Sequence, residues 1–293
     1  MQQERVKLQI PEEWKKVATE ITAGKILILG DVDTGKSTLA SFLARRWSNK
    51  KLAVIDADLG QSLLGPPVVV SLGHCQPSGE LKLVSMRFIG ATSPVGHLSA
   101  TVSAVKNLVD KSAAWGAPIT LVNTCGLIRG EKGQWLKQQK INLIQPQYIL
   151  ALHRQEELEH LLSPHQRGEI GIRRLPVPAA IKRKSEDQRR SLREKRFQQY
   201  FQEAKLRQFS LQAIRCLLDW SSLESNERCQ GLLVGLNNAD SDTLALGIIE
   251  QFSFQAGAVS VLTPLASPAE VKEIQLGSIR ITPCGEEIRN REK

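Results

Sequence analysis

Residues 30–38 read Gly-Asp-Val-Asp-Thr-Gly-Lys-Ser-Thr, a complete G-x-x-x-x-G-K-[ST] phosphate-binding loop. Its flanks constrain the fold as much as the motif does. Ahead of it, Lys25-Ile26-Leu27-Ile28-Leu29 is a short, apolar, β-favouring run; behind it, Leu39, Phe42, Leu43 and Trp47 recur at helical spacing. A strand–loop–helix of this kind turns successive backbone N–H groups into one concavity around a phosphate chain, with Gly30 and Gly35 permitting the tight path. Lys36 is placed to reach the terminal phosphates, Ser37 offers a hydroxyl to Mg²⁺, and the helix start adds a positive field. Asp33, Thr34 and Thr38 are the remaining candidates in the loop. The segment predicts binding of a nucleoside triphosphate such as ATP.

The rest of the chain alternates strands with helices. A short helix is expected over 11–20, with Pro11 at its first position. Strands are expected over 51–58, 80–89, 119–123 and 148–152, with helices over 97–113 and between the last two strands. This order predicts an α/β P-loop NTPase with a mainly parallel sheet flanked by helices, its ligands gathered at the carboxyl ends of the strands. From about residue 181 a charged helix is expected to run to about 219. Beyond it, apolar runs at 231–235, 244–249, 258–262 and 277–281 are separated by turn residues. The expected division is therefore a kinase-sized P-loop domain over 1–224 and a small β-rich C-terminal domain over 225–293. Trp115 and Trp135 are expected in the core.

Charge is concentrated rather than spread. Between Arg167 and Phe209 there are 13 Lys/Arg against 5 Asp/Glu, a local net of +8 in a chain whose total is +9. A basic segment accompanying a triphosphate site points to a polyanionic partner such as nucleic acid. The other reading is a solvated basic helix. No apolar run has the ~18 residues that a membrane span needs, and Met1 to Lys7 is polar rather than signal-like. Five scattered cysteines without metal spacing read as reduced thiols, so the expected setting is the cytoplasm.

A second motif narrows the class of P-loop protein. Asp56-Ala57-Asp58-Leu59-Gly60-Gln61 follows the second strand, 20 residues after Lys36. Two carboxylates at a strand end can divide two tasks, one holding Mg²⁺ and the other taking a proton from an attacking hydroxyl, while Gln61 can orient a water or a metal ligand. The competing role for Asp56 and Asp58 is a helix cap or a loop hydrogen bond. No Asn/Thr-Lys-x-Asp guanine-reading motif is present, since Asn237-Asn238-Ala239-Asp240 lacks the lysine. Asp31-Val32-Asp33 stands where dimeric partition-type ATPases carry an additional lysine.

Together, the loop at 30–38, the acidic motif at 56–61 and Asn123-Thr124-Cys125-Gly126 resemble the polynucleotide 5′-hydroxyl kinase family. That family includes the cleavage-factor RNA kinase, the pre-rRNA-processing kinase and compact prokaryotic relatives. A fourth element agrees: Lys184-Ser185-Glu186-Asp187-Gln188-Arg189-Arg190-Ser191-Leu192-Arg193 resembles the family's Arg-Ser-x-x-x-Arg-x-x-x-Arg lid. The resemblance implies transfer of the ATP γ-phosphate to the 5′-hydroxyl of RNA or DNA. In that scheme Lys36 and the loop amides hold the phosphates, Ser37, Asp56 and Gln61 surround Mg²⁺, and Asp56 or Asp58 is the base. Arg189 and Arg193, four apart and so on one helical face, close over the γ-phosphate. Thr124 and Gly126 match the clasp that holds ATP and the reactive end of the nucleic acid. Two departures stand out. Leu127 replaces a tryptophan that packs on a substrate base, and Lys184 replaces the first lid arginine, losing a bidentate contact. His97 is a further candidate for a substrate phosphate. The competing functions are a non-catalytic ATP-binding scaffold of an RNA-processing complex and a small-molecule kinase.

Overall fold

The computed structural model describes residues 9–212, 214–216, 229–253 and 255–288. The chain divides into two compact units. The first is drawn from Met1–Asp58, Ser71–Val84 and Leu98–Ser185, and the second from Leu59–Val70, Ser85–His97 and Glu186–Lys293.

In the first unit, helix α1 (Glu12–Glu20) precedes strand β1 (Gly24–Gly30) and helix α2 (Lys36–Arg46). Then come β2 (Leu52–Ala57), β3 (Val69–Cys75), β4 (Leu81–Phe88), α3 (Leu98–Ala114), β5 (Ile119–Thr124), α4 (Gly130–Ile144), β6 (Tyr148–His153), the short α5 (Glu159–Leu162) and β7 (Gly171–Pro176). Among the described residues the sheet order is β4-β3-β2-β5-β1-β6-β7. Strands β2, β5, β1, β6 and β7 are parallel neighbours, and β3 runs antiparallel to β2. Ile26 to Leu29, Leu52 to Ile55 and Ile149 to Leu152 are almost wholly inaccessible, as expected of central parallel strands covered on both faces. The register sets Ile28 beside Asn123 and Asn123 beside Asp56, so the ends of β1, β5 and β2 are level. That level edge positions the site.

Helix α4 turns Gly133, Leu136, Lys137, Lys140, Ile141 and Ile144 inward. Position 135 falls on the opposite face, and Trp135 is 41% exposed rather than a core residue. Trp115 is half-buried and stacks flat on His74, with Lys51 over its ring.

In the second unit, helix α6 (Glu186–Phe201) leads to β8 (Lys205–Ser210), β9 (Arg215–Cys216), β10 (Leu232–Asn237), β11 (Thr243–Ser253), β12 (Ala258–Thr263), β13 (Glu273–Ile281) and β14 (Glu287–Ile288). The described strands form a sheet in the order β14-β13-β10-β11-β12-β8, antiparallel throughout, with β9 parallel to β13. The expected helix over 181–219 is corrected here: it ends at Phe201, and a strand follows four residues later. β8 belongs to the same sheet as the C-terminal strands, which it joins through β12. Residues 217–219 of the expected helix lie outside the described residues. The core of this unit is built on Phe209, Val234, Leu236, Ile249, Val261 and Ile274.

Candidate active site

The phosphate loop links the end of β1 to the start of α2. Gly35 sits at φ +89°, a left-handed conformation that a side chain would strain, immediately before the first helical residue. Asp33, also at positive φ (53°), has its carbonyl held by Arg154 Nη2 at 2.9 Å. Both acidic residues of the loop are spoken for. Asp31 pairs with Arg129 at 3.2 Å, and Asp33 accepts from the Lys184 backbone N–H at 2.8 Å and pairs with its ammonium at 3.3 Å. The loop therefore carries little uncompensated negative charge, which an anion-binding loop requires. Lys184, in the place of the first lid arginine, is thus a partner of the phosphate loop itself.

Lys36 is buried, and its ammonium donates to the Asp31 carbonyl at 2.6 Å. Burial pushes it down from 10.5 to about 8, with the Asp58 carboxylate opposing that shift and the Lys137 ammonium reinforcing it. Thr34 Oγ1 also donates to the Asp31 carbonyl, at 2.9 Å. Thr38 lies in the first turn of α2.

Asn123 ties the loop to the acidic strand end. Its amide Nδ2 donates to Asp56 Oδ1 at 2.8 Å and to Ser37 Oγ at 3.2 Å. Asp56 is 1% exposed, while Asp58 is half-buried with its N–H 3.4 Å from Asp56 Oδ1. The other amide atom, Asn123 Oδ1, is buried without a hydrogen-bond partner among the described residues. Within the Asn123-Thr124-Cys125-Gly126 motif the linear pattern alone assigns Asn123 no role. The signal for it is a polar residue at the carboxyl end of a buried strand, in register with Asp56.

Thr124 and Gly126 follow directly. Thr124 Oγ1 donates to the Ile28 carbonyl at 2.8 Å, so its hydroxyl proton is used within the fold. Gly126 passes the phosphate loop so closely that a Cβ would stand 2.6 Å from the Val32 nitrogen. Leu127 packs against Val102, Cys125 and Leu136. Two lysines that no motif marks, Lys137 and Lys140, are fully buried on the inward face of α4. Burial lowers Lys140 to about 8, the Cys125 thiol opposing and Lys137 reinforcing. Burial alone would raise the Cys125 thiol, but Lys137 and Lys140 outweigh it and hold the thiol below its usual value.

The structure thus brings Gly30, Asp33, Thr34, Gly35, Lys36, Ser37, Thr38, Asp56, Asp58, Thr124 and Gly126 together in the first unit. The remaining candidates, Gln61, Arg189 and Arg193, lie in the second. There the Gln61 side-chain amide donates to the Gly60 and Arg189 carbonyls, at 2.8 and 3.2 Å. Arg193 is held by both carboxylate oxygens of Glu287, at 2.5 and 2.9 Å. Arg190 pairs with Glu194 and donates to the Glu287 carbonyl at 2.6 Å. His97 is half-buried, its backbone N–H closing a turn onto Pro94.

Among the described residues no cluster of three or more His, Cys, Asp or Glu can hold a metal, and no helix is long and apolar enough to cross a membrane.

Comparison with known proteins places this geometry. A polyribonucleotide 5′-hydroxyl-kinase of Methanocaldococcus jannaschii is 29% identical, over 90% of this chain and 89% of that protein. One of Pyrococcus furiosus is 28% identical, over 94% and 92%. The solved structure of a wild-type Clp1p–Pcf11p complex has the same fold as this chain, with a TM-score of 0.70 over 91% of this chain and 77% of that one, at 13% identity. The profile of the mRNA cleavage and polyadenylation factor CLP1 P-loop family matches residues 30–203, more than half of the sequence. With its phosphate loop, acidic strand end and sheet order as described, the chain belongs to that CLP1 P-loop family.

Proposed function

We propose that this protein is an ATP-dependent kinase that phosphorylates the 5′-hydroxyl end of RNA. The observation that carries the reading is the Asn123 bridge, which joins the phosphate-loop hydroxyl of Ser37 to the buried carboxylate of Asp56. The relatives named polyribonucleotide 5′-hydroxyl-kinases, matched over nine-tenths of this chain or more, supply the substrate class.

The loop amides and Lys36 hold the β- and γ-phosphates, and the ammonium exchanges the Asp31 carbonyl for phosphate oxygens. Ser37 Oγ and the Asp56 carboxylate would hold Mg²⁺, with Asn123, whose amide nitrogen donates to both, fixing their spacing. When bound it neutralises charge on the transferred phosphoryl group. Asp58 is assigned as the base that takes the 5′-hydroxyl proton. It is less buried than Asp56 and is not the carboxylate that Asn123 bridges to Ser37. Arg189 and Arg193 enter the reading through the family's lid motif. The free thiols Cys75, Cys125, Cys229 and Cys284 suit a reducing cytoplasm.

The test is incubation with γ-labelled ATP, Mg²⁺ and 5′-hydroxyl RNA and DNA oligonucleotides in parallel. Label is expected on the RNA 5′ end and not on an oligonucleotide already phosphorylated there. Tight ATP binding with no transfer to either polymer would overturn the kinase reading in favour of a nucleotide-binding scaffold.

A further inference from the structure

Helix α4 buries two ammonium groups, and a buried ammonium is costly unless its donors are met. For Lys137 they are met, and all on one piece of chain. Its Nζ lies 3.1 Å from Thr124 Oγ1, 2.6 Å from the Cys125 carbonyl and 3.7 Å from Cys125 Sγ. Thr124 Oγ1 passes the connection on by donating to the Ile28 carbonyl of β1. One ammonium therefore joins α4, the end of β5 and β1. Among the described residues, Lys140, three residues further along the same inward face, has no hydrogen-bond partner for its Nζ.

The turn that Lys137 grips is a support for the nucleotide site. At one end Asn123 holds Ser37 and Asp56. At the other, Gly126 lies against the Val32 backbone of the phosphate loop with no room for a Cβ. A shift of this turn would move both the loop and the bridge. A displacement of about 1 Å in such a support can cost a reaction about 10²-fold.

We propose that Lys137 is a positioning residue for nucleotide binding and phosphoryl transfer, pinning the Thr124–Gly126 turn so that the phosphate loop and the Ser37–Asn123–Asp56 bridge keep their register. The turnover part rests on the kinase reading. The nucleotide-binding part does not.

The experiment compares Lys137→Met and Lys140→Met in the full-length protein. It measures ATP binding by calorimetry, steady-state kinetics with 5′-hydroxyl RNA, and thermal unfolding. Lys137→Met is expected to weaken ATP binding about tenfold and lower kcat by about 10- to 100-fold, with KM for RNA within about twofold of wild type. Lys140→Met removes an equally buried charge that makes no hydrogen bond among the described residues, and ATP affinity should stay within about threefold. Equal losses in the two variants would trace the effect to buried charge and overturn the pinning role. Wild-type ATP affinity in a folded Lys137→Met protein would overturn it as well.

If Lys137→Met does not fold, Thr124→Val keeps the shape, deletes both the oxygen that accepts from Lys137 and its donation to the Ile28 carbonyl, and takes its place. It should weaken ATP binding in the same direction, and unchanged affinity would refute the proposal. Where both variants fold, their combination should cost less than the product of the separate effects, because they break one connection. Failure of wild type to label RNA would remove the kinase reading, while the ATP affinities of the variants would still decide the role of Lys137.

Discussion

Lys36 is held inside the protein at an electrostatic cost. Burial lowers its pKa from 10.5 to about 8, so between those values the unfolded chain binds more protons than the folded one. The penalty is therefore full below about pH 8 and is relieved as pH rises toward 10.5. Its size is roughly 3 kcal/mol at most. Lys36→Met should raise the unfolding temperature of the nucleotide-free protein at pH 7 while abolishing transfer. A folded variant that still transfers phosphate would remove Lys36 from the mechanism. Bound phosphates restore the charge, so ATP binding should take up protons above about pH 8 and weaken as pH rises further. Calorimetry in buffers of different ionisation enthalpy reads this directly, and Lys36→Met should lose the larger part of the uptake. Asn123 makes a second prediction at this scale. Asn123→Ala removes a donor from the buried Asp56 carboxylate, which should destabilise the fold by about 1–3 kcal/mol and raise the Mg²⁺ concentration needed for half-maximal activity. An unaltered Mg²⁺ titration would detach the bridge from the metal.

At the scale of elements, what the sequence made legible depended on how far local pattern and tertiary environment agreed. The apolar runs of β1, β2, β5 and β6 are central strands, and burial on both faces leaves the signal that their sequences carry. β8 lacks a strand signal in the sequence because it is an edge strand. Lys205, Leu206, Gln208 and Ser210 are exposed and only Phe209 is buried, so its composition continues that of the charged helix before it. β3 carries a weak strand signal because Ser71, Gly73 and His74 interrupt its apolar run. The phosphate loop and Asp56 could be read from a linear motif. Asn123 as a bridge and Lys137 as a clamp could not, since each acts on residues from other elements: Asn123 on Ser37 and Asp56, and Lys137 on the end of β5. The pairing of α6 with β14 was equally invisible. Arg193 and Glu287 are both largely buried and bidentate, 94 residues apart. A double-mutant cycle of Arg193→Ala and Glu287→Ala should give a coupling of about 1–2 kcal/mol in unfolding free energy. A coupling below about 0.3 kcal/mol would mean that the pair contributes nothing to holding α6 on the sheet.

Across the whole molecule, the distribution of charge separates structural cations from those available to a polyanion. The segment from Arg167 to Phe209 carries +8 of the chain's net +9. Much of it is engaged internally: Arg173 with Glu20, Arg174 with Glu159, Lys184 with Asp33, Arg190 with Glu194 and Arg193 with Glu287. Lys182 and Arg183 are exposed, and none of the ion pairs among the described residues includes them. They lie just before Lys184, whose ammonium and backbone N–H reach Asp33 of the phosphate loop, so nucleic acid engaged by them would be held near the nucleotide. Neutralising both should weaken RNA binding and flatten its salt dependence. Each lost phosphate contact on a single strand reduces the slope of log K against log salt by about 0.7, so the double variant Lys182→Ala/Arg183→Ala should lose about 1.4. Turnover at saturating RNA should stay within about twofold, because counterion-releasing contacts along the strand bind ground and transition states alike. Binding isotherms at four salt concentrations, with kcat measured alongside, distinguish the cases. An unchanged slope would mean that the basic segment is only a solvated surface. A fall in kcat with RNA affinity intact would move these two side chains from the path of the strand to the chemistry at its end.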